Sequence, residues 1–217
     1  MLDTPGNTRE RYRRHVIEEI KEHARGQIAE AGVSALSMNA IAKLVGISGP
    51  GLYRYFAGRD ELITALIRDA YRSLADAMRA SADDGADVGG LARTLRGWAL
   101  QDPHRYFLIY GTPIAGYHAP ADTTRIAAEI MAVLVDAVAA LPAGSAPVTP
   151  LALHLDTHRR WAHDDTVSST ALHRCLSFHS RLHGIISLEL AGHYTGMGFD
   201  PELLFEQEVE ELTTGLR

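Results

Sequence analysis

The sequence holds a single cysteine, Cys175, so no intrachain disulfide frames the fold and a reducing compartment suits the chain. A lone thiol of this kind reads first as a small buried apolar group. No apolar run approaches the roughly 18 residues needed to cross a bilayer, which argues against a membrane partner. The N-terminus, MLDTPGNTRERYRRH, lacks the apolar core of a secretory signal, so a cytoplasmic protein is expected. HExxH, CxxC, GxSxG and glycine-rich nucleotide loops are missing, and so are carboxylates paired at a telling spacing. Neither a cofactor nor an enzyme is therefore expected. A hydrolase using His with Ser or Asp is the competing class, and it has no motif behind it. Strand-like alternation is absent over any useful length, whereas helical periodicity recurs along the chain, so the fold expected is all-α.

What is present fits one sizeable domain, or a small one joined to a larger one, in 217 residues. Hydrophobic residues make up 46% and charged residues 22%, ordinary values for a globular chain. The net charge of −6 looks wrong for a nucleic-acid partner until it is divided along the chain. Residues 1–68 carry ten Lys/Arg and eight Asp/Glu, a net +2, while residues 69–217 carry eleven and nineteen, a net −8. A mildly basic head on an acidic body is compatible with DNA binding. It is incompatible with tight, nonspecific coating of DNA by the whole surface.

The most informative stretch is Leu36 to Leu62, LSMNAIAKLVGISGPGLYRYFAGRDEL. Two helices crossing steeply over a short turn need a small residue at the crossing, a turn residue that tolerates positive φ, and an apolar anchor on the second helix. Ala42, Gly46 and Leu52 have the spacing to fill those roles in that order. An ordinary helical hairpin with a glycine turn has the same spacing. Ser37 and Ser48 are placed to cap the two helices, and Pro50 falls early in the second, where its missing N–H costs nothing.

Around this stretch the periodicity predicts a first helix over Arg9 to Ala31, stopped by Gly32, and a long fourth helix from Arg59 to about Ser81. The arginines at the start of the first helix, Arg9, Arg11, Arg13 and Arg14, suit phosphate contact or a solvated helix end equally. Asp83 to Gly90 reads as a loop, and Leu91 to Leu100 as a short helix. A sixth helix restarts at Asp102-Pro103, and Gly111 to Pro120 is a turn-rich connection. A seventh helix covers Ile126 to Leu141, followed by a linker to Thr149. Leu151 to His163 is a poorly patterned helix. Val167 to His193 and a last helix from Asp200-Pro201 to Leu216 complete about nine main helices.

The segment from Arg14 to Leu62 resembles the DNA-binding domain of the TetR family of bacterial transcriptional regulators. The ordered matches are Gly32, Ser37, Ile41-Ala42, Gly46-Ile47-Ser48, Leu52-Tyr53, Phe56, Arg59 and Asp60-Glu61-Leu62. Tyr55 stands where many members have His, and Arg59 where many have Lys; both retain a capacity for phosphate contact. The resemblance implies a helix-turn-helix domain over residues 1–58 and a helical effector-binding and dimerisation domain over 59–217. It further implies a homodimeric, small-molecule-responsive repressor on a palindromic double-stranded DNA operator. Phosphate contacts would fall to Ser37, Ser48, Tyr53, Tyr55 and Arg59, with Asn39, Gly49 and Pro50 near the groove.

The C-terminal half resembles the subgroup of that family named for a Trp-His-Gly element. The matching stretches are Arg181 to Tyr194 and Leu108 to Pro120; His183-Gly184 is present, with Ser180 in place of the tryptophan. Small residues including Gly184, Ser187 and Ala191 on one helix, with Leu204, Val209 and Leu212 on the last, suit a dimer interface or the protomer's own core. Trp98, Tyr106, Phe107, Tyr110, Tyr117, Met131, Trp161 and Phe178 suit an effector cavity or plain core, and His179 adds a polar contact. His154/His158 and His179/His183 have the i, i+4 spacing that can place two imidazoles on one metal. A metal-responsive regulator is thus an alternative, but no acidic ligand lies at a telling spacing and no metal site is assigned.

Overall fold

The computed structural model describes residues 5–114, 116–141 and 149–214. Among these there are ten α-helices, one 3-10 turn and no strand, as the periodicity predicts. The helices are α1 (Pro5–Ala31), α2 (Met38–Val45), α3 (Gly49–Leu52), α4 (Arg59–Asp83), α5 (Val88–Gln101), α6 (Pro103–Tyr110), α7 (Ala121–Ala139), α8 (Pro150–Thr157), α9 (Ser169–Leu190) and α10 (Pro201–Thr214). Most of the linker expected before Thr149, and Leu216 in the last helix, lie outside the described residues. The chain forms two compact units, Met1–Ala70 with Phe107–Pro120, and Tyr71–Tyr106 with Ala121–Arg217.

In the first unit the stripe Val16, Ile20, Ala24 and Ile28 of α1 is buried, as are Ile41 and Ala42 of α2, Leu52 of α3, and Leu62, Ile63 and Leu66 of α4. The α1 positions recur every four residues, and Met38 with Ile41 and Ala42, and Leu62 and Ile63 with Leu66 and Ile67, recur at three and four, so α1, α2 and α4 each turn one apolar face inward. Polar ties supplement the packing. Lys21 Nζ sits 2.9 Å from Asp69 and 3.1 Å from Glu18, with only 13% of its side chain exposed, and so joins α1 to α4. Thr64 Oγ1 donates to the Tyr117 hydroxyl at 3.1 Å, which fastens the connection after α6 to α4.

The second unit is built around α9, which packs against α5, α7, α8 and α10. Leu172, Cys175, Phe178, Leu182 and Ile186 form its buried face, opposite Phe205, Val209 and Leu212 of α10. Burial raises the Cys175 thiol to about 12, so the chain's one cysteine is a protonated packing group. Arg96 of α5 is held at 2.7 Å by Glu189 of α9, both side chains 13% exposed, and its guanidinium lies 5.3 Å from the Phe205 ring of α10.

Several boundaries differ from expectation for identifiable reasons. α5 begins at Val88 rather than Leu91, because the Asp87 carboxylate caps it by accepting from Gly90 N–H at 2.8 Å. Gly89, read as loop, belongs to the first turn; a Cβ there would lie 3.4 Å from Val209 Cγ1, so the small residue lets α10 approach. α8 is real but ends at Thr157, six residues short of the expected stop, with Thr149 capping its start. α7 starts at Ala121, five residues earlier than its apolar run, because its first turn, Ala121 to Thr124, carries no large apolar side chain for a periodicity to show.

The Arg96–Glu189 pair predicts a measurable asymmetry. Glu189→Ala removes the main partner of a largely buried cation and is expected to cost roughly 2–3 kcal/mol, below the full cost of an orphaned charge because Glu202 lies 3.8 Å away. Arg96→Met combined with Glu189→Leu should recover most of that loss in urea unfolding.

Candidate nucleic-acid interface and polar core

The helix-turn-helix is assembled by short-range rules. Ser37 Oγ caps α2 by accepting from Ala40 N–H at 3.3 Å, and its own N–H donates to Gln27 Oε1 of α1 at 2.8 Å. Gly46 closes α2 in the left-handed region at φ 74, and the next N–H, of Ile47, returns to Ala42 C=O at 3.0 Å. Ser48 Oγ then caps α3 by accepting from Gly51 N–H at 3.1 Å. Ala42 at the crossing and Leu52 on the second helix are 2% and 0% exposed. The three roles read from the spacing are thus filled as expected. What the spacing does not convey is that α3 is four residues long, a single turn of Gly, Pro, Gly and Leu.

The candidate contact residues fall into two groups. Ser37, Asn39, Ser48, Pro50 and Tyr53 are exposed on the helix-turn-helix, with Gly49 partly so. Tyr55 is half-buried, with the Arg13 guanidinium of α1 5.9 Å from its ring centroid. Arg59 donates from Nη2 to Val33 C=O at 2.7 Å and sits 3.7 Å from Asp60. That bond secures the turn between α1 and α2, so Arg59 has structural work whether or not it meets a phosphate. Two residues passed over in the sequence also matter. Gln27 anchors the start of α2 from a distance of ten residues, a link invisible to local patterning. Arg54 is exposed in the turn after α3.

The nine effector candidates divide between the units. Phe107, Tyr110 and Tyr117 belong to the first, and Trp98, Tyr106, Met131, Trp161, Phe178 and His179 to the second. Trp98, Tyr106 and Phe178 are buried; the others are half-buried. Trp98 donates from Nε1 to Ser73 Oγ at 3.1 Å, under the Arg105 guanidinium at 4.3 Å. The Tyr106 hydroxyl, with no exposure, lies 2.8 Å from Ser187 Oγ and 3.0 Å from His183 Nδ1, and donates to His183 C=O at 3.3 Å. His179 packs edge-on against His183 with ring centroids 4.3 Å apart. Burial lowers both imidazoles; His183, with His179 beside it, is pushed down to about 3, so both rings are neutral near pH 7.

The interface candidates also separate. Gly184, Ala191 and Leu204 are exposed, whereas Ser187 is engaged with Tyr106, and Val209 and Leu212 lie in the protomer's own core. Exposed apolar side chains gather nearby in sequence instead: Leu188, Met197, Phe199, Leu203 and Leu204. The histidine pairs hold no metal-binding set. His154 and His158 stack at 3.9 Å, and among the described residues no group of three or more His, Cys, Asp or Glu could hold an ion.

Two outcomes follow from this geometry. Gly46→Ala introduces strain but no clash, since nothing lies within 4 Å of the added carbon, and should cost about 1 kcal/mol in thermal unfolding. The second concerns pH. His183 has a lower pKa folded than unfolded, so below its ordinary 6.5 the unfolded chain takes up the proton first. The contribution of a neutral His183 to stability is therefore complete above about pH 6.5 and is lost as the pH drops toward 3, steepening the slope by up to about 1.4 kcal/mol per pH unit. His183→Asn should flatten urea midpoints between pH 7 and 4.

Residues 20–66 match the family model described as bacterial regulatory proteins, tetR family, and residues 88–212 match that described as tetracyclin repressor-like, C-terminal domain. The HTH-type transcriptional regulator Rv1816 of Mycobacterium tuberculosis is 34% identical over 222 residues, spanning 94% of this chain and 93% of the relative. A crystal structure of the regulatory protein SCO4313 is 65% identical, with a TM-score of 0.86 over 94% of this chain and 97% of that one. FadR from Bacillus subtilis, solved with stearoyl-CoA, shares the fold alone, at 12% identity and a TM-score of 0.56 over 92% and 99% of the chains. No helix among the described residues is long and apolar enough to cross a membrane. With its serine-capped helix-turn-helix and a matched C-terminal domain, the chain belongs to the TetR family of DNA-binding bacterial transcriptional regulators.

Proposed function

We propose that the protein is a homodimeric cytoplasmic repressor, released from a palindromic operator by a small-molecule effector. Residues 1–58 act as the reading head and residues 59–217 as the effector-binding and dimerisation domain. The observation that carries this reading is the size of α3. One turn of helix covers too little of a groove to select a genomic site, whereas two copies read half-sites about 34 Å apart, or a multiple of that.

The second copy would seat on the exposed apolar side chains of the α9–α10 region. Five of them on one short span of chain exceed the scatter expected on a monomer's surface. Gly184 and Ala191, exposed on α9, would let a partner helix approach closely. Ser37, Ser48 and Tyr53 would contact phosphates, joined by Tyr55 and Arg59, and Asn39, Gly49 and Pro50 would lie along the groove.

An effector would act through differential affinity. A ligand that favours a head spacing unsuited to successive grooves weakens operator binding by the energy with which operator weakens the ligand. Within the second unit, the buried Trp98 and Phe178 and the neutral Tyr106–His183–Ser187 cluster support an uncharged or mixed polar and apolar ligand over a bare cation. The same fold holds stearoyl-CoA in FadR from Bacillus subtilis, so its helical body is compatible with a sizeable ligand.

Sedimentation and gel-shift measurements test the dimer together. Leu188→Asp combined with Leu203→Asp should give a monomer that binds the protein's own upstream DNA at least about 100-fold more weakly. A dimer of full affinity would place the interface elsewhere. Tyr53→Ala should weaken every DNA sequence by a similar factor, since phosphate contacts carry no base information. A loss confined to one operator base would contradict that role. Saturating effector from a ligand library should shift DNA affinity; a bound ligand that leaves it unchanged would sink the release mechanism.

A further inference from the structure

The head leaves few side chains for reading bases. Selection in the major groove needs donors and acceptors that match a base edge, and Arg on guanine is the commonest such match. Within α3, Gly49 and Gly51 have no side chain, Pro50 has no hydrogen-bonding group, and Leu52 is fully buried. The Ser37 and Ser48 oxygens already accept capping bonds. Arg59 is tied to Val33 C=O, and Arg13 lies over Tyr55.

The helical path continues beyond α3. Arg54 N–H donates to Gly51 C=O at 3.2 Å, Tyr55 N–H to Leu52 C=O at 2.9 Å, and Phe56 N–H to Leu52 C=O at 3.2 Å. Over this extension Leu52 and Phe56 are buried, while Pro50, Tyr53, Arg54 and Ala57 are exposed. That three-and-four spacing puts Arg54 on the outward face, one turn along from Pro50. Among the described residues, no hydrogen bond or ion pair holds its guanidinium. The glycines beside it matter for what they leave open. With no side chains at 49 and 51, the backbone of α3 can approach a groove closely, and a residue one turn later can then reach a base edge. A Cβ at Gly51 would also press on the capping Ser48 Oγ at 3.0 Å, which favours keeping that surface bare.

We infer that Arg54 selects a guanine in each operator half-site, donating two parallel hydrogen bonds to its N7 and O6 while Tyr53 and the capping serines hold phosphates. This assignment rests on the family's DNA binding and is independent of repression, effector release and the effector's identity.

The test uses the full-length protein and a random-sequence DNA duplex library, comparing the wild type with Arg54→Ala and Arg54→Lys. The wild type should enrich half-sites with one strongly preferred guanine. In Arg54→Ala the preference at that position should fall on the order of 10- to 100-fold, with the other positions unchanged. Arg54→Lys keeps the charge but loses the bidentate geometry, so it should retain affinity for nonspecific DNA and still lose discrimination at that base. Because Lys preserves stem and charge, it carries the comparison should the alanine variant unfold. A uniform loss of affinity with unchanged preferences in both variants would make Arg54 a phosphate contact and overturn the assignment. Wild-type half-sites without a preferred guanine would overturn it as well. Failure of the wild type to enrich any sequence would overturn it together with sequence-specific reading itself, and is distinguishable on that ground.

Discussion

A four-residue helix has no stability of its own. Forming one turn fixes several backbone dihedrals for a single hydrogen bond, and two of the four residues in α3 are glycines, the poorest helix formers after proline. The reading turn therefore exists only because its surroundings hold it. Leu52 and Phe56 are buried, Ser48 satisfies one open N–H, and Gly46 sets the angle at which the chain enters. Behind these, Gln27 ties α2 to α1, Arg59 closes the α1–α2 turn, and Lys21 with Asp69 joins α1 to α4. The polar ties of the head converge on one task, keeping a turn that cannot fold alone in a fixed pose.

The body meets the opposite problem. α9 meets helices on several sides, and an all-apolar bundle of that kind tolerates alternative registers. Its polar groups are few and directional. The Tyr106 hydroxyl reaches His183 and Ser187, one turn apart on α9, which holds Tyr106 at one axial position along that helix. Arg96 and Glu189 do the same between α5 and α9. A partly buried ion pair adds little net stability over a hydrophobic replacement, so register is the better physical account of its presence. The neutral state of His183 belongs to the same economy, because a charged imidazole at that position would need a second partner.

Much of this was legible in the sequence. The all-α class, the crossing at Ala42, the turn at Gly46, the anchor at Leu52 and the serine caps depend on local spacing and backbone chemistry, which one chain displays directly. Segment ends were less legible where a cap outweighed composition, as at Asp87, whose carboxylate carries a helix through two glycines. Long-range polar ties were not legible at all. Nothing near Gln27 predicts that it serves Ser37, and nothing near Arg59 predicts Val33. Ser187 reads as one of several small residues on a helix face, yet its hydroxyl faces Tyr106 eighty-one positions earlier. Val209 and Leu212 show the related limit that an apolar stripe marks burial without naming what covers it.

The sparse surface of α3 gains meaning from these constraints. A reading element built from glycine and proline gives up side-chain contacts at its own positions, and it gains close backbone approach. Selectivity must then come from residues at its margins or from the geometry of the duplex itself. Asn39 lies at one margin, its Oδ1 3.6 Å from where a Cβ on Gly49 would sit, and Arg54 lies at the other. A head of this design would read few bases per half-site, each mismatch costing about 1–3 kcal/mol. In the proposed dimer, selection would then rest correspondingly more on the distance between two heads. Weak reading per head would make the proposed operator complex sensitive to spacing, and spacing is the variable on which the proposed ligand in the body would act.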